Sequence, residues 1–276
     1  MDLRQTIIAE MKVKTVIQPE VEIQTRVDFI KKTLSSTGLK TLVLGISGGI
    51  DSCTCGKLAQ IAVEQLNTEL KTNSYQFVAI RLPYGEQADE ADAQASIDFI
   101  SPAKSLSVNI KSSADALHTE VLGALMNTHA LPENDAQQDF AKGNVKARTR
   151  MVAQYDVAGI LGGLVLGTDH SAENITGFYT KYGDGGVDIS PIADCNKTEV
   201  WELGKELGIL NEIIEAAPTD GLWDDGRTDE GQLGLQYHEL EEAMNNPNSP
   251  NRAKYETIRK QNLHKMEPIP VCKIPN

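Results

Sequence analysis

The sequence has no run of eighteen apolar residues, so nothing in it has the length and character of a membrane span. Its amino terminus, Met1 to Glu10, carries acidic residues and lacks an apolar secretory stretch. Four cysteines, Cys53, Cys55, Cys195 and Cys272, form no C-x-x-C pair and no zinc spacing, which fits a reducing cytoplasm. Cys53 and Cys55 would stand about 200° apart on a helix, too far round to face one metal; Cys55 falls on the Leu58/Leu66 stripe, where core packing explains it. Basic excess is missing as well. A formal net charge of −13 argues against nucleic acid as a partner, because phosphate backbones are bound through basic surface. Internal repeats and low-complexity tracts are absent. These absences leave a soluble, cytoplasmic chain of 276 residues, long enough to bury a full core, and read here as one domain over residues 1–276.

What is present is an alternation of short apolar runs with helical periodicity. Leu42 to Ile46 suits a strand buried on both faces, and beyond a polar turn Cys55, Leu58, Ala59, Ala62 and Leu66 recur at helical spacing. Gln76–Leu82 predicts a second strand, Ser105–Ile110 a weaker third and Gly163–Gly167 a further buried one. Helices are expected over Leu3–Val13, from Pro19 to Leu34, and over Ala88–Ile100, Ala114–Met126, Asp139–Leu161, Asn196–Leu207, Gly231–Met244 and Arg252–Gln261, with a polar loop at Asn127–Gln138. Strand and helix in alternation give the fold class: α/β, a doubly wound parallel sheet with helices on both faces.

The turn after the first strand carries the chemistry. Gly45-Ile46-Ser47-Gly48-Gly49-Ile50-Asp51-Ser52 joins a strand to a helix, where glycines admit a close ligand and free N–H groups face an anion. No Lys-Ser or Lys-Thr pair closes it, so it is not the G-x-x-x-x-G-K-[ST] loop, and G-x-G-x-x-G is missing too. Ser47 and Ser52 can donate to phosphate oxygens, and Asp51 makes sense as a magnesium ligand. The plainer alternative is an ordinary turn with Asp51 placed for the helix dipole.

Other candidates lie at other strand ends. Arg81 and Gln87 flank the second strand, where Arg81 either meets a ligand or is a surface residue. On the long helix, Val145, Arg148, Val152, Tyr155 and Gly159 form one stripe, with Lys146 and Arg150 about 200° from Arg148. Arg148 is therefore expected on the packed side, needing a carboxylate or phosphate, while Lys146 and Arg150 are expected on a solvated face. Thr168 and Asp169 follow the Gly163–Gly167 run as helix caps or ligand groups, His170 is either structural or catalytic, and Glu173 can join Asp51 around one magnesium. The Gly-rich, aromatic stretch after Gly177 offers Lys181 to an anion and Asp184 or Asp188 to ribose hydroxyls. Residues 213–230, acidic and glycine-rich, are expected to form a lid.

Ser47 to Ser52 resembles the pyrophosphate-gripping loop of the N-type ATP pyrophosphatases. Lys142–Arg150, Gly167–Asn174 and Thr176–Ile192 narrow the resemblance to the ammonia-dependent NAD synthetases. That resemblance implies an adenine nucleotide alpha hydrolase-like fold, and adenylation of the nicotinate carboxylate of deamido-NAD by Mg-ATP, followed by displacement of AMP by ammonia. It implies ATP contacts from Gly45, Ile46, Ser47, Gly48, Gly49, Ile50, Asp51, Ser52, Arg81, Gln87, Thr168, Lys197 and Thr219, with Mg²⁺ on Asp51 and Glu173. Deamido-NAD is expected on Arg148, Tyr155, Phe178, Lys181, Asp184, Asp188, His264 and Lys265, across a homodimer to which the long helix contributes. Ile50 departs from the family loop, where Gln is frequent. With no glutaminase-sized region, free ammonia is the expected donor unless a separate protein delivers it. The rival readings are another enzyme with the same loop, such as the synthetase part of GMP synthetase, and a nucleotide-sensing protein without turnover.

Overall fold

The computed structural model describes residues 17–85, 90–131, 134–216, 222, 229–246 and 248–272. The expected Leu3–Val13 helix, Gln87, Thr219 and most of the expected lid lie outside the described residues. The chain opens with helix α1 (Pro19–Thr37) and strand β1 (Thr41–Gly45), then runs through α2 (Ile50–Glu69), β2 (Gln76–Arg81), α3 (Glu90–Ile100), β3 (Lys104–Ser107), α4 (Lys111–Asn127), α5 (Asp135–Leu161) and β4 (Gly163–Val165). The helices α6 (Ser171–Thr176), α7 (Lys197–Leu207), α8 (Asn211–Ile214), α9 (Asp229–Leu233), α10 (Tyr237–Asn245) and α11 (Arg252–Met266) complete it. Among the described residues no helix is long and apolar enough to cross a membrane.

All strand pairings are parallel, in the order β3-β2-β1-β4, with Val43 opposite Val78 on one side and Val165 on the other. Alternation along the strands sends side chains to two cores. Leu42, Leu44, Phe77 and Ala79 pack with α1, α2 and α7, whereas Val43, Val78, Ile80 and Val165 pack with Ala158 and Tyr155 of α5. Helices therefore cover both faces, which is why β1 and β2 read as continuous apolar runs. A third cluster joins Ala172 and Ile175 of α6 to Tyr237, Leu240 and Met244 of α10 and Tyr255 of α11. The strand order reverses between β1 and β4, and their carboxyl ends diverge there into the crevice that open α/β sheets use for ligands.

Several boundaries differ from expectation. Helix α5 begins at Asp135, inside the expected loop, because the Asn134 side chain accepts from Ala136 N at 3.0 Å and caps it. The Gly231–Met244 helix is instead two, since Gly234 sits at φ +65°. The larger correction concerns the phase of α5. Gly143, Lys146, Ala147 and Ala158 are its buried residues, while Arg148 and Val152 are exposed. Small residues let α5 lie close on β1 and β4, so the packed face is the one opposite the Arg148 stripe.

Candidate active site

At the head of the crevice Ser47 to Gly49 makes a self-supporting turn. Gly49 N donates to Ser47 Oγ at 3.3 Å, Ser52 Oγ donates to the Gly49 carbonyl at 3.1 Å, and the two serine hydroxyls are 3.2 Å apart. Gly48 stands at φ +99°, and a Cβ there would lie 2.8 Å from Ala93 N, so both conformation and space demand glycine. No side chain caps α2 at its start. Its first N–H groups thus end the helix dipole at the wall of a cavity of about 420 Å³, an arrangement that attracts an anion.

Gly45 to Ser52, Thr168, Asp169, Glu173, Phe178, Asp184 and Lys197 all line this cavity, together with Arg150 and Gln154 of α5. Lys197 arrives there because Asn196 and Glu199 form a capping box at the start of α7, with bonds of 2.7 and 2.8 Å. The loop before it is tied to α1, where the buried Arg26 donates to the Pro191 carbonyl and to Asp194. The Lys197 ammonium is fully buried, donates to both Asp51 oxygens at 2.9 and 2.7 Å, and lies 5.1 Å from the centre of the Tyr237 ring. Burial works against ionising Asp51, but Lys197 overrides it and holds the carboxyl below its ordinary value.

The neighbouring acids behave in the opposite way. Burial, then the charges of Asp184 and Asp51, push Asp169 up to about 8. Burial and the nearby Asp169 and Asp51 raise Glu173 well above a normal carboxyl, although its Oε2 accepts from His170 N at 3.0 Å. His170 is fully buried, edge-on to Tyr237, and burial lowers it to about 3, so its ring is neutral. Among the described residues no group of three or more His, Cys, Asp and Glu side chains is gathered as a ready-made metal cage. The site thus gathers three carboxyl groups, Asp51, Asp169 and Glu173, in one sheltered place, and Lys197 pairs with the first of them.

A second cavity, about 310 Å³, adjoins the first through Asp169 and Val187 and is lined by Tyr179, Lys181, Tyr182 and Lys265. Lys265 Nζ donates to the carbonyls of Gly177 and Tyr179, and Lys181 Nζ to that of His264.

Not every expected residue reaches a cavity wall. Arg81 ends β2 away from both. Arg148 is exposed and donates through Nε to the Lys181 carbonyl, and His264 is exposed as well. Asp188 is exposed and already accepts two hydrogen bonds, from Tyr155 OH at Oδ1 at 3.0 Å and from Val165 N at Oδ2 at 2.8 Å. Burial, then the Asp188 carboxylate, pushes the Tyr155 phenol up to about 12. Asp184 Oδ1 accepts from Thr180 N. Conversely, Arg150 and Lys146 are not on a solvated face. Arg150 lines the main cavity and donates to the Leu82 carbonyl at 3.1 Å; Lys146 is 4 % exposed, donates to the Leu222 carbonyl and lies over the Tyr84 ring. The small residues Gly143, Ala147 and Ala158 were the signal for that face. Gln154 has no place among the residues expected from the sequence, and Asp169, expected as a cap or a ligand group, lines the cavity.

Comparison with known proteins matches residues 22–274 to the NAD synthase family model. The chain is 49 % identical over 272 residues to the NH(3)-dependent NAD(+) synthetase of Aliivibrio salmonicida, an alignment covering 97 % of this chain and 99 % of that protein. Among solved structures it resembles NAD+ synthetase from Burkholderia pseudomallei, at TM-score 0.76 and 38 % identity over 93 % of this chain and 92 % of the other. It also resembles NMN synthetase from Francisella tularensis, at TM-score 0.77 and 27 % identity over 95 % and 100 %. With its Ser-Gly-Gly turn, its parallel order and its full-length match in agreement, the chain belongs to the NAD synthase family.

Proposed function

We propose that the chain is an ammonia-dependent NAD synthetase, working as one catalytic unit over its length. A nicotinate oxygen of deamido-NAD attacks the α-phosphorus of ATP, the bond to the β-phosphate bridge breaks, and pyrophosphate leaves. Ammonia then adds to the acyl carbon, the bond to AMP breaks, one proton is lost, and NAD is formed. The observation that carries this reading is the lysine-free Ser47–Gly49 turn at the uncapped start of α2, in the crevice where β1 and β4 part. Such a turn suits a diphosphate that departs, since holding and neutralising it is what the reaction needs.

Magnesium fits the donor set: burial and neighbouring carboxylates raise both Asp169 and Glu173, and a divalent cation would displace the protons they hold. Asp51 and Glu173 would hold the ion, which supplies charge neutralisation for the diphosphate when bound. Lys197 and the α2 N–H groups grip the leaving oxygens, Phe178 and Asp184 line the main cavity, and Lys181 and Lys265 stand beside the second, where deamido-NAD is assigned. Proximity of two cavities suits a reaction between two nucleotides. A homodimer accounts for the remaining expected contacts, Arg148, Tyr155, Asp188 and His264, which lie off both cavity walls of one chain.

The test is mass spectrometry of a mixture of ATP, magnesium, an ammonium salt and deamido-NAD. NAD, AMP and pyrophosphate should appear in equal amounts. Xanthosine monophosphate in place of deamido-NAD should yield no AMP, and nicotinate mononucleotide should be amidated less efficiently. A preference for either would overturn the substrate assignment, and ATP binding without AMP would overturn catalysis.

A further inference from the structure

Where β1 and β4 part, one backbone group, the Gly45 N–H, loses the partner that a continued ladder would supply. Val43 and Val165 are the last paired residues, and Leu166 N donates to the Val43 carbonyl, so the backbone groups of Val43 face β4. Residues two apart in a strand face the same way, so Gly45 N–H also points toward β4. Beyond Val165 the chain turns to Ile189 instead: Gly167 N donates to the Ile189 carbonyl. A backbone N–H shut off from water and left unpaired costs about as much as a lost hydrogen bond, so the open ladder must be closed by other means.

It is closed by a side chain: Gln154 of α5 brings Oε1 to 2.7 Å from Gly45 N. Gly45 makes room for this, because a Cβ there would stand 3.3 Å from Gln154 Oε1. Gln154 also lines the main cavity, and Gly45 is the first residue of the turn that borders it. We propose that Gln154 is a positioning residue for the nucleotide turn: its carbonyl oxygen takes the N–H that the diverging sheet leaves open and so sets where Gly45 and the Ser47–Gly49 turn stand. This rests on the assignment of that turn to ATP.

The test compares Gln154→Met, which keeps length but removes the acceptor, with Gln154→Glu, which keeps it. Hydrogen exchange followed by mass spectrometry over residues 43–48 should quicken in Gln154→Met and stay as in the parent in Gln154→Glu. ATP affinity by calorimetry should fall about tenfold in the first and recover to within about threefold in the second, as expected for one amide hydrogen bond. Thermal midpoints should change little, and the KM for ammonia should not move. If the parent protein does not bind ATP, the ATP assignment fails whatever the variants do. If the parent binds and Gln154→Met binds equally well, or Gln154→Glu is as impaired as Gln154→Met, the role of Gln154 is overturned. A fall in stability with every kinetic constant reduced alike would also overturn it, by making Gln154 a packing residue.

Discussion

Lys197 Nζ sits against both oxygens of Asp51, at 2.9 and 2.7 Å, with the lysine fully buried and the carboxylate at the cavity wall. The pair links the start of α2 to the start of α7, so each partner's burial depends on the other. Removing one side of a buried pair leaves an uncompensated charge, whereas removing both does not. Asp51→Asn should therefore abolish turnover and also cost about 3–5 kcal/mol of stability. The double variant Asp51→Asn/Lys197→Met should regain most of that stability and none of the activity. Denaturant melts of the three proteins decide it: an Asp51→Asn variant as stable as the parent would show that the pair carries no mutual dependence.

The raised acids give a pH dependence with a definite sign. Asp169 has a normal carboxyl pKa when unfolded and about 8 when folded, and Glu173 is shifted the same way. Between those values the folded chain holds protons that the unfolded chain has lost. Stability then falls as pH rises from about 4 to 8 and levels off above, on account of these groups. Asp169→Asn should remove part of that fall, raising the thermal midpoint at pH 8.5 more than at pH 5. Added magnesium should stabilise the parent more at pH 8.5 than at pH 6, since more of the acids are then ionised. Equal effects at both pH values would contradict the shifts.

How far the sequence could be read depended on whether one pattern had one cause. Leu42–Ile46 and the Cys55 to Leu66 stripe each had one, burial in a two-sided sheet, and β1, α2 and the turn between them lie where they were expected. Helix α5 did not. Its Arg148 stripe looked like a core face because apolar residues recur along it, but the buried face is the one of Gly143, Lys146, Ala147 and Ala158, where Ala158 packs on the sheet. Periodicity marks an apolar face without saying what covers it, and it ranks glycine and alanine low although close packing needs them. Gln154 was hidden for another reason: its role depends on β4 turning away from β1 after Val165, a long-range event with no local signature.

The corrected phase of α5 makes Arg150 a site residue. It lines the main cavity and donates through Nε to the Leu82 carbonyl. A charge-assisted hydrogen bond is worth about 1.5–3 kcal/mol, so Arg150→Met should lower kcat/KM for ATP by roughly 10- to 100-fold. Lys142→Met, just over two turns away and half-buried beside Asp115, should leave that constant within about threefold. Steady-state kinetics with ammonia saturating separates them. Parity between the two variants would return Arg150 to the role of a surface cation.

The exposed stripe on α5 then needs a cover. Val152 is 59 % exposed and Ile160 73 %, and on the neighbouring α4 Leu117 and Val121 are also open. Apolar residues placed at helical spacing on two packed helices suit an interface more than a solvated surface. If two copies meet there, a carboxylate introduced at the stripe would be buried without a partner, which the dimer would not tolerate. Val152→Glu should shift the protein from dimer to monomer in light scattering. The deamido-NAD KM should rise steeply, because Arg148, Tyr155 and Asp188 would lose the cross-subunit setting assigned to them. ATP affinity should change far less, since the Ser47–Gly49 turn and Lys197 belong to a single chain. A Val152→Glu protein that remains dimeric with an unchanged deamido-NAD KM would place the interface elsewhere and leave the stripe without a function.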